Sequence, residues 1–154
     1  MPDLVLYQPD IPGNTGTLIR LAACTATTLH VIAPAGFRMD DTALKRSGMD
    51  YLDLAAVERH ADWQGFNDWR SALNRRLILM TTRADAPIWD FDFEEADLIM
   101  LGRESSGVPN QVHDAADFSL TIPMAQGARS LNLAVAGGMV LGEAIRQTKF
   151  ARTQ

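Results

Sequence analysis

Short apolar runs alternate with amphipathic stretches along this chain. Leu4-Val5-Leu6-Tyr7, Leu29-His30-Val31-Ile32, Leu77-Ile78-Leu79-Met80, Leu98-Ile99-Met100-Leu101 and Phe118-Ser119-Leu120-Thr121-Ile122 read as strands bounded by turn residues. Leu54-Ala55-Ala56-Val57 is a further short candidate. Helical spacing predicts one helix from Asn14 or Thr15, either of which can cap it, to about Ala26. It predicts others over Asp40–Arg46, with Asp41 or Thr42 near the start, over Trp63–Asn74, and from about Ser130 to Thr148. Strands that are continuous apolar runs and that alternate with helices indicate an α/β fold. Such a fold has a largely parallel sheet with helices on both faces.

The last helix is apolar on more than one side. Leu131, Ala134, Val135, Gly138, Leu141 and Ile145 share one face, and Leu133, Ala136, Val140 and Ala144 fall opposite. A helix apolar all round must be buried all round. Pairing with a second copy of the chain achieves that, and so does tucking the helix under loops of its own chain. Gly137, Gly138 and Gly142 each cost about 1 kcal/mol against alanine in a helix interior, and close backbone approach is the usual reason for keeping them.

The totals narrow the class. The length of 154 residues fits one domain, read here as 1–150 with a short tail over 151–154. A chain of this size buries roughly 68–70% of its unfolded surface, so it can build a core without staples. Hydrophobic content of 47% and charged content of 21% are ordinary for a soluble globular protein. The single cysteine, Cys24, excludes an intramolecular disulfide and fits a reduced, cytoplasmic setting. Its place in an apolar helical pattern predicts a buried structural thiol. No basic, apolar leader and no run of membrane-spanning length is visible.

A net charge of −5 argues against a simple nucleic-acid binder. The charge is uneven, however. Asp85, Asp90, Asp92, Glu94, Glu95 and Asp97 crowd one stretch, and without them the remainder is near neutral. Arginine supplies twelve of the fourteen basic residues, which suits bidentate phosphate contacts or reflects a biased genome composition.

Common chemistries are missing. There is no G-x-G-x-x-G after the first strand, no G-x-x-x-x-G-K-[ST] and no G-x-S-x-G elbow. His30, His60 and His113 are too scattered in sequence to suggest a metal site, and none is expected. Two glycine-bearing segments in the last third stand out instead. One is Gly102-Arg103-Glu104-Ser105-Ser106-Gly107-Val108-Pro109, and the other is Ile122-Pro123-Met124 leading to Ser130-Leu131-Asn132-Leu133. Turn residues beside a carboxylate, hydroxyls and an amide can set backbone N–H groups around a small ligand. Arg20 is the odd cation of the first helix, either a solvated flank or a charge held at a ligand site.

Three blocks together carry a resemblance. They are Asn14-Thr15-Gly16-x-x-x-Arg20, Leu101 to Pro109, and Ile122-Pro123-Met124 continuing through Ser130-Leu131-Asn132-Leu133-Ala134-Val135-Ala136. In this order the chain resembles the SPOUT-superfamily RNA 2′-O-ribose methyltransferases from about Leu4 to Gln147. Leu6-Tyr7-Gln8-Pro9-x-Ile11-Pro12-Gly13-Asn14-Thr15-Gly16, with Asp50-Tyr51, makes it similar to the minimal subgroup, the tRNA (cytidine(34)-2′-O)-methyltransferases.

The resemblance implies a C-terminal trefoil knot in the 102–133 region, the S-adenosylmethionine pocket of the SPOUT fold. It implies a homodimer paired through the first and last helices. The implied cofactor-binding residues are Met80, Gly102, Ile122, Ser130 and Leu131. The implied catalytic set is Arg20, Asn14, Glu104, Ser130 and Asn132, with Arg20 holding the ribose–phosphate and making the 2′-hydroxyl more acidic. The implied substrate is the wobble nucleotide (position 34, cytidine or modified uridine) in the anticodon loop of leucine tRNAs. Arg38, Lys45, Arg46, Arg129 and Arg146 are candidate RNA contacts. Another tRNA position, ribosomal RNA, or a non-catalytic RNA-binding factor of the same fold are the alternatives. The family often has a larger, frequently aromatic residue where this chain has Gly142.

Overall fold

Six strands lie side by side, and every neighbouring pair is parallel. They are β1 (Asp3–Tyr7), β2 (Thr28–Ile32), β3 (Ala56–His60), β4 (Leu77–Met80), β5 (Leu98–Leu101) and β6 (Phe118–Leu120), in the order β3-β2-β1-β5-β4-β6. The helices are α1 (Pro12–Thr25), α2 (Thr42–Gly48), α3 (Trp63–Ala72), α4 (Asn110–Ala115) and α5 (Leu133–Lys149). This computed structural model describes residues 1–40 and 42–150. The candidate helix start at Asp41 and the tail 151–154 lie outside the described residues.

Alternation along each strand divides the core in two. Leu4, Leu6, Leu29, Val31, Ile78, Ile99 and Leu101 face α1 and α5, where Leu18, Ile19, Ala22, Val140, Leu141 and Ala144 complete one cluster. Val5, Tyr7, Ile32, Leu77, Leu79, Leu98 and Met100 face Trp63 and Phe66 of α3 and Val112 of α4. The central strands are thus buried on both faces, which is why they read as unbroken apolar runs. α2 packs on α1 at Gly16, where an added Cβ would lie 2.7 Å from the Leu44 carbonyl oxygen.

Several sequence expectations are corrected. The strand expected at Leu54–Val57 lies at Ala56–His60, because an edge strand carries polar residues that do not look like a core run. α4 was not anticipated, since its six residues bury only Val112. Asn14 and Thr15 do not cap α1. The helix begins at Pro12, and the Asn14 side chain points to other partners. α5 begins at Leu133 rather than Ser130, with Asn132 as its cap. Cys24 is exposed rather than buried. It shares the outward stripe of α1 with Arg20 and Thr17, one and two turns earlier.

Within this chain α5 is buried on one side only. Gly137, Val140, Leu141 and Ala144 face inward, while Val135 and Met139 stay exposed. A Cβ at Gly137 would lie 2.7 Å from Leu18, so close packing explains that glycine. Gly138 and Gly142 face open space.

The histidines are not all scattered in space. The β2–β3 pairing brings His30, Glu58 and His60 together, so sequence distance was the wrong guide there. Burial and the adjacent His30 ring hold His60 below the usual histidine range. Part of the acidic stretch is structural too. Asp97 is buried and takes both of its 2.7 Å bonds from Arg76. Among the described residues, no helix is long and apolar enough to cross a membrane.

Candidate active site

The chain reverses its direction of travel across the sheet between β1 and β5, and open α/β sheets place ligand crevices outside the carboxyl ends of strands at such a point. Gly102 follows β5 directly. Arg103 and Gly107 then exchange two backbone hydrogen bonds of 2.9 Å, which close a tight turn. Gly107 has φ of 64°, in the left-handed region. A Cβ on Gly102 would lie 2.9 Å from the Gly107 Cα, so only glycine fits at the base of this loop.

The loop delivers Glu104 to the segment after β1. The Asp10 N–H donates to Glu104 Oε2 at 3.1 Å, and Asn14 Nδ2 lies 3.5 Å from Oε1. Asn132 Nδ2 donates to Asn14 Oδ1 at 3.0 Å. The other end of Asn132 accepts from the N–H groups of Ala134 and Val135, at 2.9 and 3.2 Å. A single side chain therefore starts α5 and orients Asn14. Three segments far apart in sequence are joined at one polar seam.

Two carboxyls meet in that seam. The Ser105 hydroxyl donates to Asp10, and Arg103 Nη2 lies 3.5 Å from it. The hydrogen bond with the Glu104 side chain, aided by Ser105 and Arg103, holds Asp10 down at about 2. Burial, with the Asp10 carboxyl beside it, pushes Glu104 up. Adjacent carboxyls resist ionising together, and here the more buried one keeps its proton longer.

Beside the seam lies a cavity of about 570 Å³, within the range of small-molecule sites. Met80, Gly102, Ile122, Ser130 and Leu131 line it, together with Asn14, Glu104 and Asn132. Every candidate site residue gathers there except Arg20. That residue is exposed on α1, its guanidinium carbon 5.0 Å from the centroid of the Tyr51 ring.

Sequence reasoning missed several neighbours. Asp10 is one, since nothing in Pro9-Asp10-Ile11-Pro12 marks it as a partner of a residue 94 positions away. Arg103, His113, Thr81, Thr82 and Arg83 also line the cavity. Arg103 stood inside the quoted loop, and its Nε is buried with no hydrogen-bond partner among the described residues. The candidate RNA contacts divide by occupancy. Arg38 pairs with Asp40 at 3.0 Å and Arg146 with Glu143 at 2.7 Å, while Lys45, Arg46 and Arg129 are exposed.

The cavity also fits an amphipathic, nucleoside-sized ligand. Leu79, Leu101 and Leu133 supply apolar wall, and the Asn14, Glu104, Ser130 and Asn132 side chains supply polar groups. The orphaned Arg103 Nε offers a further donor.

Comparison with known proteins agrees with this geometry. The model of the SpoU rRNA Methylase family matches residues 2–142. A tRNA (cytidine(34)-2′-O)-methyltransferase of Ancylobacter novellus is 54% identical over 151 residues, covering 97% of this chain and 96% of that protein. A solved structure bearing on the 2-OH methylation of C/U34 on tRNA superposes with a TM-score of 0.91 at 39% identity, covering 99% of this chain and 98% of the other. The SpoU methyltransferase AviRb from Streptomyces viridochromogenes, in complex with AdoMet, superposes with a TM-score of 0.87 at 30% identity. It is a longer protein, of which 60% is matched by 96% of this chain.

With a parallel sheet, a glycine-turned crevice and these matches, the chain belongs to the SpoU methylase family of methyltransferases.

Proposed function

We propose that this protein transfers a methyl group from S-adenosylmethionine to the ribose 2′-hydroxyl of the wobble nucleotide, cytidine or modified uridine, of leucine tRNAs. The cavity that unites Met80, Gly102, Ile122, Ser130 and Leu131 with Asn14, Glu104 and Asn132 carries this reading. The name of the Ancylobacter novellus relative and the subject of the C/U34 structure support nucleotide 34 as the target. Leucine isoacceptors rest on the sequence resemblance.

S-adenosylmethionine supplies an activated methyl, so the chain's own task is to position and polarise. Backbone groups around Met80, Gly102, Ile122 and Ser130 hold the cofactor, and the tight 102–107 turn keeps the Gly102 main chain open to it. Such orientation contributes up to roughly 7–11 kcal/mol in well-aligned reactions. The Asn132–Asn14–Glu104 seam fixes the polar rim beside the transfer site.

Arg20 lies outside the cavity of its own chain. In this reading two copies pair through α1 and α5, and each Arg20 enters its partner's site. Exposed Val135 and Met139, with open space at Gly138 and Gly142, give α5 a surface for such pairing. A guanidinium keeps its proton at working pH, so Arg20 acts by stabilising charge that develops on the ribose oxygen rather than as a base. The same reading threads the 102–133 segment as a trefoil knot. Exposed Lys45, Arg46 and Arg129 supply the local cationic surface that an acidic protein needs to hold RNA.

The test is transfer of a labelled methyl to total tRNA, followed by nucleoside mapping. Label at nucleotide 34 of leucine tRNAs is expected. Label at another position, or only in ribosomal RNA, overturns the substrate, and no transfer to any RNA overturns the activity.

A further inference from the structure

Across the sheet from α1 and α5, the same strand register builds a second polar cluster that methyl transfer does not use. His30 stands opposite Glu58, and Ile32 opposite His60, so both histidines and the glutamate project toward α3. His30 is 1% exposed. Its Nε2 lies 3.3 Å from Asp3 Oδ2, and Arg75 Nη2 donates to the same oxygen at 2.8 Å. An ionised carboxylate only accepts, so this bond places a proton on Nε2, and the neutral ring in that tautomer presents a lone pair at Nδ1.

That lone pair faces two more donor atoms. Nδ1 is 3.0 Å from His60 Nε2 and 3.6 Å from Glu58 Oε2, and one atom from each residue falls within 4.8 Å of the others. Tetrahedral metal–nitrogen bonds of about 2.0–2.1 Å separate neighbouring donors by roughly 3.3 Å. A bond between the two rings accounts for the shorter distance alone. It does not engage the Glu58 carboxylate, which stands 3.6 Å from the same Nδ1, beyond hydrogen-bond reach but placed to share a cation with the two rings.

We propose that His30 Nδ1, His60 Nε2 and the Glu58 carboxylate form a binding site for a divalent transition metal of the zinc type, with water completing the coordination. Two imidazoles and one carboxylate favour zinc, cobalt or nickel over magnesium or calcium. Asp3 supplies the carboxylate behind a ligating histidine that orients the ring and fixes its tautomer. Trp69 and Phe66 pack on the rings, with centroids 5.1 and 5.0 Å from His60, and hold it in place. Two ligands lie on β3, which among the described residues is an edge strand paired with β2 alone. The ion therefore clips the sheet edge to its interior, a structural role separate from the crevice.

Cobalt(II) titrated into untagged, chelator-stripped protein is the probe. One equivalent is expected to give visible d–d bands of tetrahedral intensity and to quench part of the tryptophan fluorescence, while zinc raises Tm. Glu58→Gln, at a half-exposed and nearly isosteric position, weakens cobalt binding at least tenfold while leaving the metal-free circular dichroism and Tm unchanged. His60→Gln removes the bands, and His113→Gln keeps them. No stoichiometric band in the parent, or equal affinity in parent and Glu58→Gln, overturns the site and leaves a hydrogen-bonded histidine pair. Should His60→Gln fail to fold, Glu58→Gln decides alone.

Discussion

The strand ends at the crevice and the strand edge at β3 solve different problems with different materials. The crevice beside β4 and β5 is made from loops, and its shape depends on what is missing, above all a Cβ at Gly102. The cluster at β2 and β3 is made from strand side chains, and it depends on register and on the aromatic wall of α3. Loops with glycines leave main-chain groups free for a visiting ligand. Strands fix side chains against one another. The fold keeps its adaptable chemistry at strand ends and its rigid polar contacts at a strand edge.

The comparison breaks most sharply at Phe66. It is fully buried between α3 and the sheet, next to His60. Phe66→Ala is expected to cost about 3–5 kcal/mol by denaturant unfolding, with S-adenosylhomocysteine affinity of the folded fraction little changed. A comparable loss of ligand affinity would show that the two regions are coupled.

Arg20→Ala tests the other side. It should lower kcat for methyl transfer about 100-fold or more while cofactor affinity and Tm stay near the parent values. Near-full activity on a good tRNA substrate would remove Arg20 from the chemistry.

Asn132→Ala comes next, with an expected loss of about 1 kcal/mol from the α5 cap and weaker cofactor binding through the freed Asn14. Calorimetry and thermal melts separate the two. A stability loss with unchanged binding would mean that the seam merely caps the helix.

The finest effect concerns the carboxyl pair. In Asp10→Asn the Glu104 carboxyl should titrate at lower pH by carbon-detected NMR, because its acidic neighbour is gone. The sign for stability follows from the folded values. Asp10 is depressed to about 2, so its contribution is complete above its ordinary value of 3.8 and is lost as pH falls from there toward 2. Asp10→Asn should flatten acid unfolding in that window.

Legibility in the sequence followed burial. β1, β2, β4 and β5 are covered on both faces, and their runs marked them to within a residue. β3 starts two residues and ends three residues later than expected because Glu58, Arg59 and His60 belong to an edge, where polar side chains are allowed. The cap at Asn14 misled because a good cap type serves the crevice instead. The glycine loop and its neighbours were legible as motifs and do line one cavity. Asp10 and the His30–Glu58–His60 group were not, because only tertiary register brings them to their partners. Cys24 shows the reverse error, since an apolar helical stretch does not say which stripe faces out.

The position of β1 in the sheet order has a consequence for how the molecule is made. β1 is made before the other five strands of the sheet, yet its second neighbour is β5, with Leu4 opposite Ile99. At about 5–20 residues per second, some 5–20 s of synthesis separate those two residues. Throughout that interval this apolar strand has one open flank, which gives chaperones a window in which to shield it and makes the newborn chain, rather than the finished one, the stage most exposed to aggregation.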